Sequence, residues 1–85
     1  MSVFKHVTIR EERSQEAEVW VAVLRTPITL NSVNPSYDAL LYKENLLIEK
    51  MKGAEVRLQV IVPKREFILR FASKESKDEF CNTAM

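Results

Sequence analysis

Glycine is almost missing from this chain. Gly53 is the only one in 85 residues, and a glycine-rich phosphate-binding loop cannot be built from it. Cysteine is equally scarce: Cys81 alone permits no internal disulfide, so the expected compartment is reducing and intracellular, cytoplasmic or nuclear. The single histidine, His6, has no second histidine beside it and only the distant Cys81 as a fellow ligand. It reads as a strand-surface side chain rather than a metal ligand or catalytic base. No apolar run approaches the roughly 20 residues that cross a bilayer, and the opening Met1–His6 lacks the character of a signal peptide. A net charge of +1 excludes the dominating positive field of a histone-like binder but leaves protein and nucleic-acid partners both open.

What is present is a soluble-type composition of one-domain size. Hydrophobic residues at 46% against 29% charged argue against disorder, and residues 1–85 suit a single core. Alternation of Val3, Val7 and Ile9 with Phe4, His6, Thr8 and Arg10 predicts a strand over about 3–11. The polar stretch Glu11–Glu16 reads as a solvated hairpin loop, and a second strand follows over about 17–25, broken at Thr26-Pro27. Ile28-Thr29-Leu30 reads as an irregular edge. Asn34 as N-cap, Pro35 at the first helical position and Gly53 at a left-handed C-terminal position then frame a long helix. Inside that frame Tyr37, Leu40, Leu41, Leu47, Ile48 and Met51 recur at three- and four-residue spacing, with Lys50 and Lys52 in the last turn. Two more alternating strands follow, one through Val56, Leu58, Val60 and Val62, the other through Phe67, Leu69 and Phe71. Ser73 caps a final helix carrying Phe80, Cys81 and Ala84.

The expected order is therefore ββαββα. It implies an α+β two-layer sandwich, ferredoxin-like, with a four-stranded antiparallel sheet and two helices. The second strand has an unusual outward set. With Val19, Val21 and Val23 inward, Trp20, Ala22 and Leu24 point out, as does Ile68 beside Glu66 and Arg70 on the last strand. Inverted parity would instead make Trp20 a core residue. An exposed Trp among aliphatics marks a binding surface. The candidate sheet-face site is Trp20, Leu24, Arg57, Glu66, Ile68 and Arg70. Tyr42 and Leu46, off the apolar stripe of the long helix, widen its arc enough for a second interface. Arg10, Arg57, Lys64, Arg65 and Arg70 form either a basic strip or a mixed solvated surface, since Glu11, Glu55 and Glu66 are interleaved.

From residue 17 onward the chain resembles the RNA-recognition motif without its last strand. Val19-Trp20-Val21-Ala22-Val23-Leu24 is similar to that family's first-strand hexamer, and Lys64 to Phe71 to its third-strand octamer at Lys64, Leu69 and Phe71. The resemblance implies a sheet face that stacks on single-stranded RNA. Glu66 and Ile68 stand where stacking aromatics belong, which leaves Trp20 alone in its place. The missing strand implies either that the N-terminal strand fills its edge, as in a permuted chain, or that the chain is a piece of a longer protein. A second resemblance is to the pleckstrin-homology superfold, Ran-binding domains included, whose closing strand and helix look like residues 65–80. That resemblance implies about seven strands, some supplied by residues 35–52, and the acidic first hairpin loop disfavours phosphoinositides.

No constellation announces a reaction. The serines fall in loops and caps, and Asp38 and Glu44 lie too far apart on a helix to work as a carboxylate pair. The reading is a non-enzymatic interaction module with no cofactor, no membrane and no small-molecule substrate. It would associate with protein, itself included, within an RNA-related, ribonucleoprotein-type complex; single-stranded RNA binding and a pleckstrin-homology-like protein-binding domain are the alternatives.

Overall fold

The computed structural model describes residues 2–12, 14–25 and 27–85. Met1 of the opening segment, Arg13 of the first hairpin loop and Thr26 of the Thr26-Pro27 break lie outside the described residues. Seven strands follow one another: β1 (Ser2–Arg10), β2 (Ala17–Val23), β3 (Pro27–Ser32), β4 (Ala39–Tyr42), β5 (Leu46–Lys50), β6 (Glu55–Val60) and β7 (Arg65–Arg70). They are followed by α1 (Lys74–Ala84). The sheet order is β4-β3-β2-β1-β7-β6-β5, with every neighbouring pair antiparallel.

This order forces the sheet to curl. β4 and β5 are its opposite edges, yet only the 3-10 turn Lys43–Asn45 separates them in sequence. Four Cα steps reach at most about 14 Å, whereas the edges of a flat seven-stranded sheet lie about 29 Å apart. The inner faces of both halves consequently meet in one core. Val19, Val21, Val23, Ile28 and Leu30 from one half join Val56, Leu58, Phe67 and Leu69 from the other in a single cluster. Each fully buried Leu, Ile or Phe there contributes about 1.5–3 kcal/mol.

The two ends of this open barrel are closed differently. At one, α1 packs Phe80 against Phe71 and Phe4, with ring centroids 4.9 and 5.7 Å away. Its inward stripe is Lys77, Phe80, Cys81 and Ala84, spaced i, i+3, i+4, i+7. The Ser73 Oγ caps the helix by accepting from the Ser76 backbone N–H at 3.1 Å. Lys77 Nζ donates to the backbone carbonyls of Met51 and Gly53, at 2.5 and 2.7 Å, which ties the helix to the β5–β6 turn. At the other end Tyr37 lies edge-on to Phe67, 6.3 Å between centroids, with its hydroxyl 2.9 Å from Ser14 Oγ. Arg65 binds both Glu11 oxygens at 2.8 and 2.9 Å, donates to the Ser36 carbonyl and lies over the Phe67 ring.

The structure overturns the ββαββα expectation. The long helix over 35–52 is replaced by a short 3-10 turn (Pro35–Tyr37), β4, a second 3-10 turn and β5. Its boundary signals are real but serve other elements. Asn34 caps the 3-10 turn, accepting from Ser36 N–H at 3.1 Å. Gly53 does adopt a left-handed φ of +68°, in the β5–β6 turn. Between them, apolar residues sit on both faces of the strands, so helical spacing and strand alternation fit the same letters. Pairing partners decide: β3 takes up β4, and β6 takes up β5. Asn45 fixes the intervening turn, accepting from Val62 N–H at 3.1 Å and donating to the Val62 carbonyl at 2.6 Å.

Two strand details also change. β3 is no irregular edge, being paired on both sides by β2 and β4. In β1 a bulge between Phe4 and Val7 switches the facing, so Phe4, Val7 and Ile9 are buried while Val3 points outward. His6 sits in that bulge with φ of +58°, a conformation uncommon for a residue with a Cβ but tolerated by His more than most.

Candidate functional site

The outside of the barrel carries two surfaces of opposite character. On the β1–β4 half, register puts Val3, Ala22, Thr29 and Leu40 side by side in one row across four strands. One step along, Trp20 pairs with Asn31; one step the other way, Pro27 pairs with Tyr42. Directly paired residues share a face, so these rows form one patch. Trp20 is 55% exposed, Leu40 60%, Val3 47% and Tyr42 46%. The β1 bulge shapes it further, bringing Lys5 Nζ to 5.0 Å from the Trp20 ring centroid.

The β5–β7 half is laced with ion pairs, with Leu47 exposed on its edge strand and Ile61 and Val62 exposed in the β6–β7 turn. Arg10 pairs with Glu55 at 3.0 Å, Arg57 with Glu49 at 2.6 Å and Arg70 with Glu16 at 2.9 Å. Gln59 donates to Glu66, and Thr8 to Glu16. Arg57 Nε, buried, lies 3.8 Å from a Glu66 oxygen, within ion-pair but beyond hydrogen-bond distance. Ile68 lies in register between Arg10 and Arg57 and is half-buried among them.

The candidate site residues thus fall into separate groups. Trp20 is outward as expected, with Leu24 half-buried just past the end of β2. Arg57, Glu66, Ile68 and Arg70 belong to the ion-paired half, on β6 and β7. Tyr42 is exposed, but on a strand beside Pro27 rather than on a helix. Leu46 is buried, so the pair Tyr42 and Leu46 forms no helical interface. Val3 and Leu40 were missed. The first was hidden by the bulge, which nothing in the local letters announces, and the second by the apparent helical stripe. Of that stripe Tyr37 and Leu41 are buried, Ile48 is partly buried, and Leu40 and Leu47 are exposed.

Titratable groups with shifted affinities are structural. The hydrogen bond from Arg65, helped by its charge, holds the Glu11 carboxyl below the usual carboxylate range, and the same contact raises Arg65. Burial pushes the Cys81 thiol up, which keeps it protonated and unreactive. Among the described residues no three His, Cys, Asp or Glu side chains gather as a metal site, and no helix is long and apolar enough to cross a membrane. Two shallow depressions flank the sheet. One lies beside Trp20 between Glu18, Asn31 and Asp38; the other is lined by Leu47, Gln59, Ile61 and Lys64. In the first, Ser32 Oγ donates to the Glu18 carbonyl at 2.7 Å and Asp38 Oδ1 accepts from the Ser32 backbone N–H at 2.6 Å. Comparison with family models, with curated proteins and with solved structures gives no match.

Proposed function

We infer that this chain is a non-catalytic protein-docking module of pleckstrin-homology-like architecture. Its docking surface is the outer face of β1–β4. The carrying observation is the exposed apolar row Val3–Ala22–Thr29–Leu40 with Trp20 and Tyr42 on either side of it. Association would remove this surface from water at about 25 cal/mol per Å². The architecture is supported by element order. Seven antiparallel strands closed by one C-terminal helix is the arrangement implied by the likeness of residues 65–80 to that superfold.

Single-stranded RNA is the weaker ligand for this surface. Four arginines elsewhere on the barrel, Arg10, Arg57, Arg65 and Arg70, already hold carboxylates, and on this face one Trp with Lys5 beside it is a stacking platform that offers a base little purchase. The test is a photo-crosslinker, benzoylphenylalanine, placed at Leu40 or at Ile68 in the full chain. Protein adducts from position 40 and none from position 68 are expected. Equal labelling, or none at 40, would overturn the reading. So would an oligouridine that moves the β1–β4 amide resonances at low salt.

A further inference from the structure

We propose that the depression beside Trp20 is an arginine-binding subsite, which takes the guanidinium of a partner protein's side chain. This rests on the reading of the β1–β4 face as a protein-docking surface and gives the chemistry of its anchor.

The depression has a volume of about 420 Å³ and is lined by Glu18, Trp20, Asn31, Ser32, Val33 and Asp38. Register explains why these residues meet. Glu18 and Trp20 stand two apart on β2, so both project from the outer face. Trp20 pairs with Asn31 on β3, and Asp38 joins them from just before β4. One Asp38 oxygen is fixed by the Ser32 backbone N–H at 2.6 Å, which leaves the other for a ligand.

The two carboxylates are the only charges in this lining, and among the described residues neither is in an ion pair. An anion is therefore repelled. A metal ion finds too few ligands, since no third His, Cys, Asp or Glu joins them among the described residues. The remaining wall is an indole. Lys5 Nζ lies 5.0 Å from its centroid, so the ring is already placed to accept a cation. Lys5 reaches it from β1 and does not line the depression, whose walls come from β2, β3 and the segment leading to β4.

A guanidinium suits these groups better than an ammonium. It is planar and weakly hydrated, and it can lie on the indole while its fork of N–H groups reaches the carboxylates. An ammonium is compact and strongly hydrated, and gives up more water on entering. Arginine is also a frequent anchor at protein interfaces. The apolar row Val3–Ala22–Thr29–Leu40 continues from the ring across the rest of the face, where the partner's backbone would follow.

Titration of the intact, isotope-labelled chain with N-acetylarginine methylamide tests this, read at the Trp20 indole and Asn31 side-chain amide resonances. Saturable shifts are expected, with none from the uncharged citrulline counterpart and weaker ones from the lysine counterpart. Glu18→Gln and Asp38→Asn should each weaken the arginine probe about fivefold. The second keeps an oxygen for the Ser32 N–H, so melting curves of both variants should match wild type. Equal shifts from citrulline or lysine, no saturable shift, or full affinity in both variants overturns the proposal. The arginine probe should also suppress protein adducts from position 40, whereas the citrulline probe should not. Adducts that persist at saturation overturn the partner's side chain as the source of the guanidinium. Adducts from position 40 without any arginine shift would leave the docking face standing without this anchor, and the absence of both would remove both.

Discussion

The two outer faces of this barrel are built from the same antiparallel ladder, yet they solve the problem of facing water in opposite ways. The β5–β7 half lays charges of both signs across neighbouring strands, so that each arginine finds a carboxylate within its own chain. The β1–β4 half leaves Val3, Trp20, Leu40 and Tyr42 uncovered. A neutralised surface has little left to offer a partner, because binding would have to break pairs that are already made. An uncovered one has an apolar driving force for association. Function is best sought on the face that is less satisfied by itself.

That contrast can be broken most sharply by placing the same charge on both faces. Leu40→Glu should weaken association at least about 30-fold, since it charges the centre of the docking row. Ile68→Glu should leave association unchanged. The yield of protein adducts from benzoylphenylalanine at the exposed Tyr42 in each variant decides it, and equal effects would erase the distinction between the faces. Leu40 is exposed, so its variant should melt close to wild type.

A smaller effect is expected from the ion-paired network at the Tyr37 end of the barrel. Arg65→Met removes a two-pronged contact with Glu11 and a bond to the Ser36 carbonyl. Partial exposure of both partners (37% and 35%) limits the loss to about 1 kcal/mol in urea unfolding. Association should be untouched.

Acid should expose the same contact. Because Arg65 depresses the folded-state pKa of Glu11, the unfolded chain binds the proton more readily. The stabilisation is complete above the usual carboxylate value of 4.5 and is lost as pH falls through the lower folded value. The gap in melting temperature between wild type and Glu11→Gln should therefore be open at neutral pH and close in acid. A gap that persists unchanged at pH 3 would show that Glu11 acts through something other than its charge.

The smallest effect concerns the bulge that turns Val3 outward. His6→Gly relieves a left-handed backbone at a cost-free exposed position, and should stabilise by about 0.5–1 kcal/mol. A loss of stability would mean that the His6 side chain holds the bulge in shape.

Much of the β framework is legible from the letters. Val19, Val21 and Val23 alternate with nothing to confuse them, and Trp20 follows outward. Phe67, Leu69 and Phe71 do likewise, and Ser73 announces α1 without ambiguity. Residues 35–52 are different. Leu40-Leu41 and Leu46-Leu47-Ile48 are apolar at consecutive positions, so a period of 3.6 and a period of 2 both find support. The caps at Asn34 and Gly53 are equally at home around a helix or around turns. The docking face inherits this ambiguity, because three of its four exposed apolar residues, Val3, Leu40 and Tyr42, lie on β4 or beyond the β1 bulge.

The sequence by itself determined the alternating strands, the capped C-terminal helix and the outward Trp20, because each depends on neighbours a few residues away. Tertiary structure decided whether residues 39–50 became helix or strand and which arginines were free. It also brought Val3, Trp20, Leu40 and Tyr42 onto one surface. Those outcomes depend on which distant strand supplies the hydrogen bonds and the opposite charge, and a local pattern carries no record of its partner.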